Sequence, residues 1–506
     1  VEKKSASTSA SPASEGSSTR PSRKKSTPLH PLERALLALA GAHLCFLPWA
    51  LGGMHGWSQA VSFAFALAGL ALALIPRAHR DELADHGRAY RYLPARRLFA
   101  FPGFWLGLAL LAYATVQALN PSWTYRSFPD GGWTMEPRDH IRWLPTGAVA
   151  PFSDANPWRA LLVWSAAWLL GCALWIGVTR RAAVRMLLMI LALNAAVLAL
   201  AGILQRLAGN GKILGFIEPS THYAIATFLY KNHAGAFFNL LLATALALGV
   251  WHDRRAKRRL ERTSPAPFFF GGALLLATIV ALSDSRFAVL LLLGFLGGGL
   301  VWGAWSFWRS GRRPSVLAAC VFAVALAAMI LLGARELQGS RVATRFQELF
   351  TSDRVWSIDA RQTAARATWE MALDRPLTGW GAGCFRWLFP LYQQRHPAIY
   401  TPSWDAEKSF FWEHAHSDPL EFFAELGALG CAPLLGLLGW WLVKIGRARP
   451  WRNPPLLLVA TGVLLLLVHS SIDFHLQNPA ILLTAIALAV LTARWAEIEV
   501  RKRASR

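Results

Sequence analysis

The stretch Glu413-His-Ala-His-Ser-Asp418 sets His414, His416 and Asp418 in alternation just before an apolar run. Imidazole exchanges protons near neutral pH and, with carboxylates, also ligates metals. The triplet could therefore be a metal site, a catalytic base with its helpers, or the polar end of a helix. His-x-His-x-Asp is the spacing used by binuclear metallohydrolases, and His469 and His475 around Asp473 could add ligands. Such sites, however, draw on a soluble layered sheet domain whose strands are not evident in this stretch. Ser417 and Asp418 ahead of Pro419 also read as an N-cap and an early helical proline.

Three other places gather chemistry-bearing residues. Asn232 and His233 stand in FLYKNHAGAFFN, at the mouth of an apolar segment. In ALSDSRFAVL, Ser283, Asp284, Ser285 and Arg286 interrupt two apolar stretches. An arginine beside hydrocarbon calls for an anionic partner, and Asp284 or a lipid-linked phosphate would serve. Arg341, Arg345, Arg361 and Arg366 recur at helical spacings. Guanidinium forks match phosphate oxygens, so such a face could hold a pyrophosphate. The alternative is a solvated helix with pairing to Glu348, Asp353, Asp359 and Glu370. RPLTGWGAG then predicts a sharp turn through Pro376, Gly379, Gly381 and Gly383.

What positions these residues follows from composition. Hydrophobic residues make up 54% of the 506, yet the formal charge is +23. These values conflict for a soluble globule and agree for a multi-spanning membrane protein with basic loops. Apolar segments near the ~20 residues that span a bilayer fall at roughly 33–53, 57–75, 99–118, 159–178, 183–207, 234–251, 267–283, 287–305, 315–334, 419–443, 454–471 and 479–496. The expected fold is an all-α polytopic membrane protein of about twelve transmembrane helices. A large helical loop on the outer face, 335–418, is expected between helices nine and ten, and would be periplasmic in a bacterial inner membrane.

Charge placement tests that count. With a cytoplasmic N-terminus, every even-numbered connection and the 497–506 tail is rich in Arg or Lys, whereas 335–418 holds as many acidic as basic residues. The basic excess thus describes topology, and no nucleic-acid partner is expected. The organisation read is a disordered basic cytoplasmic tail 1–32, helices one to nine in 33–334, the loop 335–418, helices ten to twelve in 419–496, and a basic cytoplasmic tail 497–506. No cleavable signal peptide is expected ahead of the first span. Cys45, Cys172, Cys320 and Cys431 fall within spans and only Cys384 outside, so neither a disulfide framework nor a cysteine zinc site is indicated.

One signature joins these pieces. His416-Ser417, followed after nine residues by Gly427-Ala-Leu-Gly430, resembles the motif of the O-antigen ligase and polymerase superfamily of bacterial membrane glycosyltransferases. RQTAARATWEMALDRPLTGWGAGCF is similar to that family's preceding periplasmic loop, and KNHAGAFF and SDSR to its upstream stretches. The resemblance covers about 230–480. Ser417 stands where Asn is common, and His414 adds a second imidazole.

The resemblance implies transfer of a glycan from an undecaprenyl-pyrophosphate carrier to an acceptor hydroxyl at the outer face of the inner membrane. It implies no cofactor and no metal. His416 would be the base, with His414 the alternative. Arg286 and Arg361 would hold the departing pyrophosphate, with Arg341 and Arg345 as further candidates. His414, Ser417, Asp418, Asn232, His233, Asp473 and His475 would support them. The expected partners are the lipid-linked donor, a glycolipid or glycan acceptor and the bilayer. Lipid A core would make the chain a ligase, a second lipid-linked glycan a polymerase, and a protein side chain an oligosaccharyltransferase. A transporter or flippase of lipid-linked sugars would share the spans, but would be expected to show an internal repeat and mid-membrane charges.

Overall fold

The computed structural model describes residues 28–79, 90–219, 224–310, 352–400 and 411–504. The expected span 315–334, Arg341, Arg345 and most of the N-terminal tail lie outside the described residues. The long helices are α1 (Pro31–Trp49), α2 (Gly56–Leu74), α3 (Pro102–Leu119), α4 (Pro157–Gly177), α5 (Arg181–Ala208) and α6 (Lys231–Arg259). They continue with α7 (Ala266–Ala281), α8 (Arg286–Ser310), α9 (Ser352–Asp374), α10 (Asp418–Arg447), α11 (Pro454–Ser470) and α12 (Pro479–Ala504). All except α9 coincide with apolar segments read from the sequence. Among the described residues, eight (α2 to α6, α8, α10 and α12) are long and apolar enough to cross a membrane, while α7 and α11 are shorter apolar helices.

Local chemistry sets several boundaries. The Asn156 side chain caps α4 by accepting from the Arg159 amide at 2.9 Å, with Pro157 in the first turn. Gly209, left-handed at φ 64°, ends α5. Among the described spans helix α6 is the most enclosed, lying against α7 and α11. Gly235 lets α6 approach the start of α8 closely: a Cβ there would stand 2.5 Å from the Ala288 Cβ.

The all-helical expectation holds for the apolar layer and fails beside it. The connection between α3 and α4 forms a three-stranded sheet, ordered β4-β3-β5, from β3 (Pro121–Ser127), β4 (Trp133–Pro137) and β5 (Gly147–Val149). Strands β3 and β4 pair antiparallel and β3 and β5 parallel. A separate two-stranded sheet joins β1 (Arg77–His79) to β2 (Tyr90–Tyr92). The three-stranded sheet shares a core with α9 and the segment after it: Met135 and Ala148 pack with Ala364, Met371, Trp387 and Phe389. Polar ties reinforce this layer. Arg375 donates to the hydroxyls of Ser122 and Thr146, and Trp387 Nε1 donates to the Ala155 carbonyl at 2.6 Å.

Helix α10 is interrupted. Gly427 has φ 62° and ψ −175°, a conformation reserved for glycine. The break is filled by backbone from the Pro376–Gly381 turn. Trp380 and Gly381 amides donate to the Ala424 and Glu425 carbonyls at 3.0 and 2.8 Å. In return, Ala428 and Leu429 amides donate to the Pro376 and Leu377 carbonyls at 2.8 and 3.1 Å. From α3, Gln117 donates to the Thr378 and Glu425 carbonyls, and Tyr113 to those of Thr378 and Leu426. Backbone groups that a helix would have paired internally are thus satisfied across three chain segments.

Candidate active site

The seam lies inside α10, at residues 424–429, and the His-x-His-x-Asp triplet ends on that helix's first residue, Asp418. Its three side chains take three different partners. His416 Nδ1 donates to Asp473 Oδ1 at 3.2 Å. His414 Nδ1 donates to Glu421 Oε1 at 2.8 Å. Asp418 Oδ2 accepts from the Leu476 amide at 2.8 Å. Ser417 is the N-cap residue of α10, as its sequence position suggests, but its side chain makes no capping hydrogen bond. Among the described residues, no three His, Cys, Asp or Glu side chains are grouped to hold a metal ion.

Asp473 sits in the turn between α11 and α12 and is buried at 2% exposure. Its Oδ2 accepts from the Tyr230 hydroxyl at 3.3 Å and from Asn232 Nδ2, and Asn232 Nδ2 also donates to the Tyr230 oxygen at 2.7 Å. Burial by itself would raise the Asp473 pKa. The hydrogen bond from His416, with the nearby charge of Arg361, outweighs burial and holds the carboxyl well below the usual carboxylate range. Burial and the neighbouring carboxylate push the Tyr230 phenol upward, so it remains a donor. The result is an ionised carboxylate held by three donors, Tyr230, Asn232 and the Phe474 amide, and aimed at one imidazole nitrogen. With Nδ1 protonated, Nε2 is the basic nitrogen of His416.

Phe474 assembles the rings. His414 stacks on it at 4.4 Å and Tyr230 at 5.1 Å, while His416 meets it edge-on at 5.0 Å. His233 approaches at 5.1 Å and donates Nε2–H to the Phe474 carbonyl at 3.2 Å. Behind this layer His475 is fully buried, with its ring 3.9 Å from His469. Burial drives the His475 pKa far down, so it is neutral. His416 itself has φ 51°, a left-handed conformation that costs a residue with a Cβ about 1 kcal/mol. Strain of this kind collects where the surroundings fix a side chain for use.

The arginines divide. Arg361, exposed on α9, is near enough for its charge to act on both Asp473 and Tyr230. Arg286 is exposed at the first position of α8, next to Phe287, whose ring lies 5.3 Å from His469. Asp284, one partner considered for Arg286, forms an ion pair with Arg206 at 3.1 Å. Tyr230, Glu421 and Phe474 were not singled out from sequence. Tyr230 adjoins the Lys-Asn-His stretch, which is its one signal; Glu421 and Phe474 gave none.

The His414–Glu421 pair carries a pH dependence. Burial alone would lower the His414 pKa, but the Glu421 carboxylate, through charge and hydrogen bond, outweighs it and raises the value. A raised folded pKa means that the contribution is complete below about pH 6.5 and is lost as pH rises through the folded value. Thermal unfolding of the purified protein in detergent is expected to lose stability across that window, and His414→Gln to flatten the loss. A wild-type slope retained in the variant would assign the titration elsewhere.

Residues 271–435 match a family model described as O-antigen ligase. No curated protein matches the chain. The matched stretch holds Arg286, Arg341, Arg345, Arg361, His416, Gly427 and Gly430. Asn232, His233, Asp473 and His475 lie beyond it and reach the site through the fold. The structure gives the motif's two glycines in this chain a reason: Gly427 forms the break in α10, and a Cβ on Gly430 would stand 2.7 Å from the Tyr113 ring. The stretch that carries the motif histidine is thus similar to the O-antigen ligase family, in support of the superfamily resemblance read from its motifs.

Proposed function

We propose that this chain is an O-antigen ligase-like glycosyltransferase. It moves a glycan from undecaprenyl pyrophosphate to an acceptor hydroxyl, on lipid A core or a similar molecule, at the periplasmic face of the bacterial inner membrane. Both termini are cytoplasmic in this reading, and no metal takes part. The observation that carries it is the His416–Asp473 pair at 3.2 Å, within a chain whose 271–435 stretch matches the family.

In the proposed reaction the acceptor hydroxyl gives its proton to His416 Nε2 as its oxygen attacks the anomeric carbon. The bond from that carbon to the phosphate oxygen breaks, and undecaprenyl pyrophosphate leaves with the electron pair. Asp473 stabilises the imidazolium that forms. The leaving group is already anionic, so it needs positive charge more than an acid. Arg361 and Arg286 supply that charge, and Arg286 also stands at the N-terminus of α8, where backbone amides favour anions.

The test is transfer of a defined undecaprenyl-pyrophosphate glycan by the purified protein, with lipid A core, a second lipid-linked glycan or a protein as acceptor. Turnover that ignores EDTA supports the reading, and the acceptor used separates ligase from polymerase or protein glycosylation. Arg361→Ala and Arg286→Ala are each expected to lower kcat/KM by about tenfold to a hundredfold, the scale of one charged hydrogen bond. Movement of the lipid-linked sugar across a vesicle bilayer with no product formed would favour the transporter instead. Activity abolished by EDTA and restored by a divalent ion would return the histidines to a metal role.

A further inference from the structure

The outer layer carries a cluster of rings that the proposed reaction does not use. Trp133 on β4 stacks near Tyr125 at 5.8 Å, and meets Trp387 at 5.3 Å and Phe411 at 5.9 Å edge-on. Phe411 is 43% exposed, and Trp133 is half-buried. The Arg386 guanidinium lies over both Trp387 and Phe411, at 5.3 and 5.2 Å. It is ion-paired with Glu413 and with Asp154, and its Nε is buried with no hydrogen-bond partner.

A group serving only the core of this layer would bury its rings and satisfy its donors. Here an aromatic face stays open beside two carboxylates and an arginine whose buried Nε is left unpaired. Sugars present C–H faces that stack on aromatic rings and hydroxyls that bond to planar charged groups, so this composition suits a saccharide. The position suits one as well. Phe411, Trp412 and Glu413 are consecutive, and the Trp412 ring meets His416 edge-on at 5.4 Å.

We propose that Trp133, Phe411, Arg386, Glu413 and Asp154 form a subsite that holds the saccharide chain of a substrate beyond the sugar undergoing transfer. The assignment rests on the glycosyltransferase reading and adds a length preference to it. The chain held is that of the donor or of the acceptor, since both carry the same chemistry.

The experiment uses the purified full chain in detergent. Undecaprenyl pyrophosphate bearing one sugar or an oligosaccharide is paired with a short or a long acceptor. In Phe411→Ala and in Glu413→Gln, KM for the longer substrate is expected to rise about tenfold, the scale of one lost ring or charged contact. KM for one-sugar substrates should stay as in wild type, and Phe411→Trp should restore the longer substrate. The arm in which the change appears identifies donor or acceptor. Equal KM changes at every length would overturn the subsite. Binding of the carrier-free oligosaccharide is measured on the same samples. If wild type transfers nothing, the reaction falls, yet the subsite still stands on weaker oligosaccharide binding by Phe411→Ala and falls on equal binding.

Discussion

His416→Ala is expected to lower kcat by about a thousandfold, within the range that a positioned base contributes, while leaving KM within a few-fold. Asp473→Asn should cost about a hundredfold, because the amide neither holds the reactive tautomer nor stabilises the imidazolium. The decisive sample is the double variant. Two groups acting as one unit are strongly non-additive, so His416→Ala with Asp473→Asn should be no slower than His416→Ala alone. Wild-type turnover in His416→Ala would remove the base. Multiplicative losses would show Asp473 acting apart from it, through its links to Tyr230 and Asn232.

The second large effect is structural. Gly427→Ala is expected to destabilise the protein by about 4 kcal/mol or more, because strain at a glycine-only conformation adds to a backbone collision. The new Cβ would lie 2.4 Å from the Leu377 carbonyl carbon and 2.6 Å from the Thr378 nitrogen, neither of which can swing aside. Gly439, in the same helix, is the control, since a Cβ there meets nothing within 4 Å. Its change to alanine should leave stability level or raise it by up to about 1 kcal/mol. Thermal unfolding in detergent and the monodisperse fraction read both. A Gly427→Ala protein that melts like wild type would mean that the break in α10 is not needed.

The helices were largely legible from sequence because a span announces itself by hydropathy over some twenty residues, whatever its neighbours are. What lies between spans was less legible. Strands of three to seven residues, β3 to β5, give no long periodic signal, and the sheet they form was read as plain connection. Within the site, His416, Arg361 and Arg286 came from motifs, and Asp473 was named as a supporting residue without His416 as its partner. The hydrogen bond that joins Asp473 to His416 spans 57 residues, and that from Tyr230 spans 243. Hydropathy orders segments along the chain without saying which ends meet. A glycine in an apolar stretch is most simply taken as a point of close helix contact. That suits Gly235 but misses Gly427, whose torsion rather than its size is what matters.

The seam at Gly427 also bears on how the chain is made. An open helix inside a membrane leaves amides and carbonyls that lipid does not satisfy. Among the described residues, the groups that close this opening lie earlier in the chain: Tyr113 and Gln117 on α3, and the turn from Pro376 to Gly381. Synthesis runs from the N-terminus, so these partners have all emerged when Ala424 to Leu429 leave the ribosome. The gap in α10 can therefore be sealed as that helix enters the bilayer, without waiting for α11 or α12. The Asp473 half of the His416 pair arrives later, on the turn between those last two helices. Biogenesis thus builds the frame first and charges the site last.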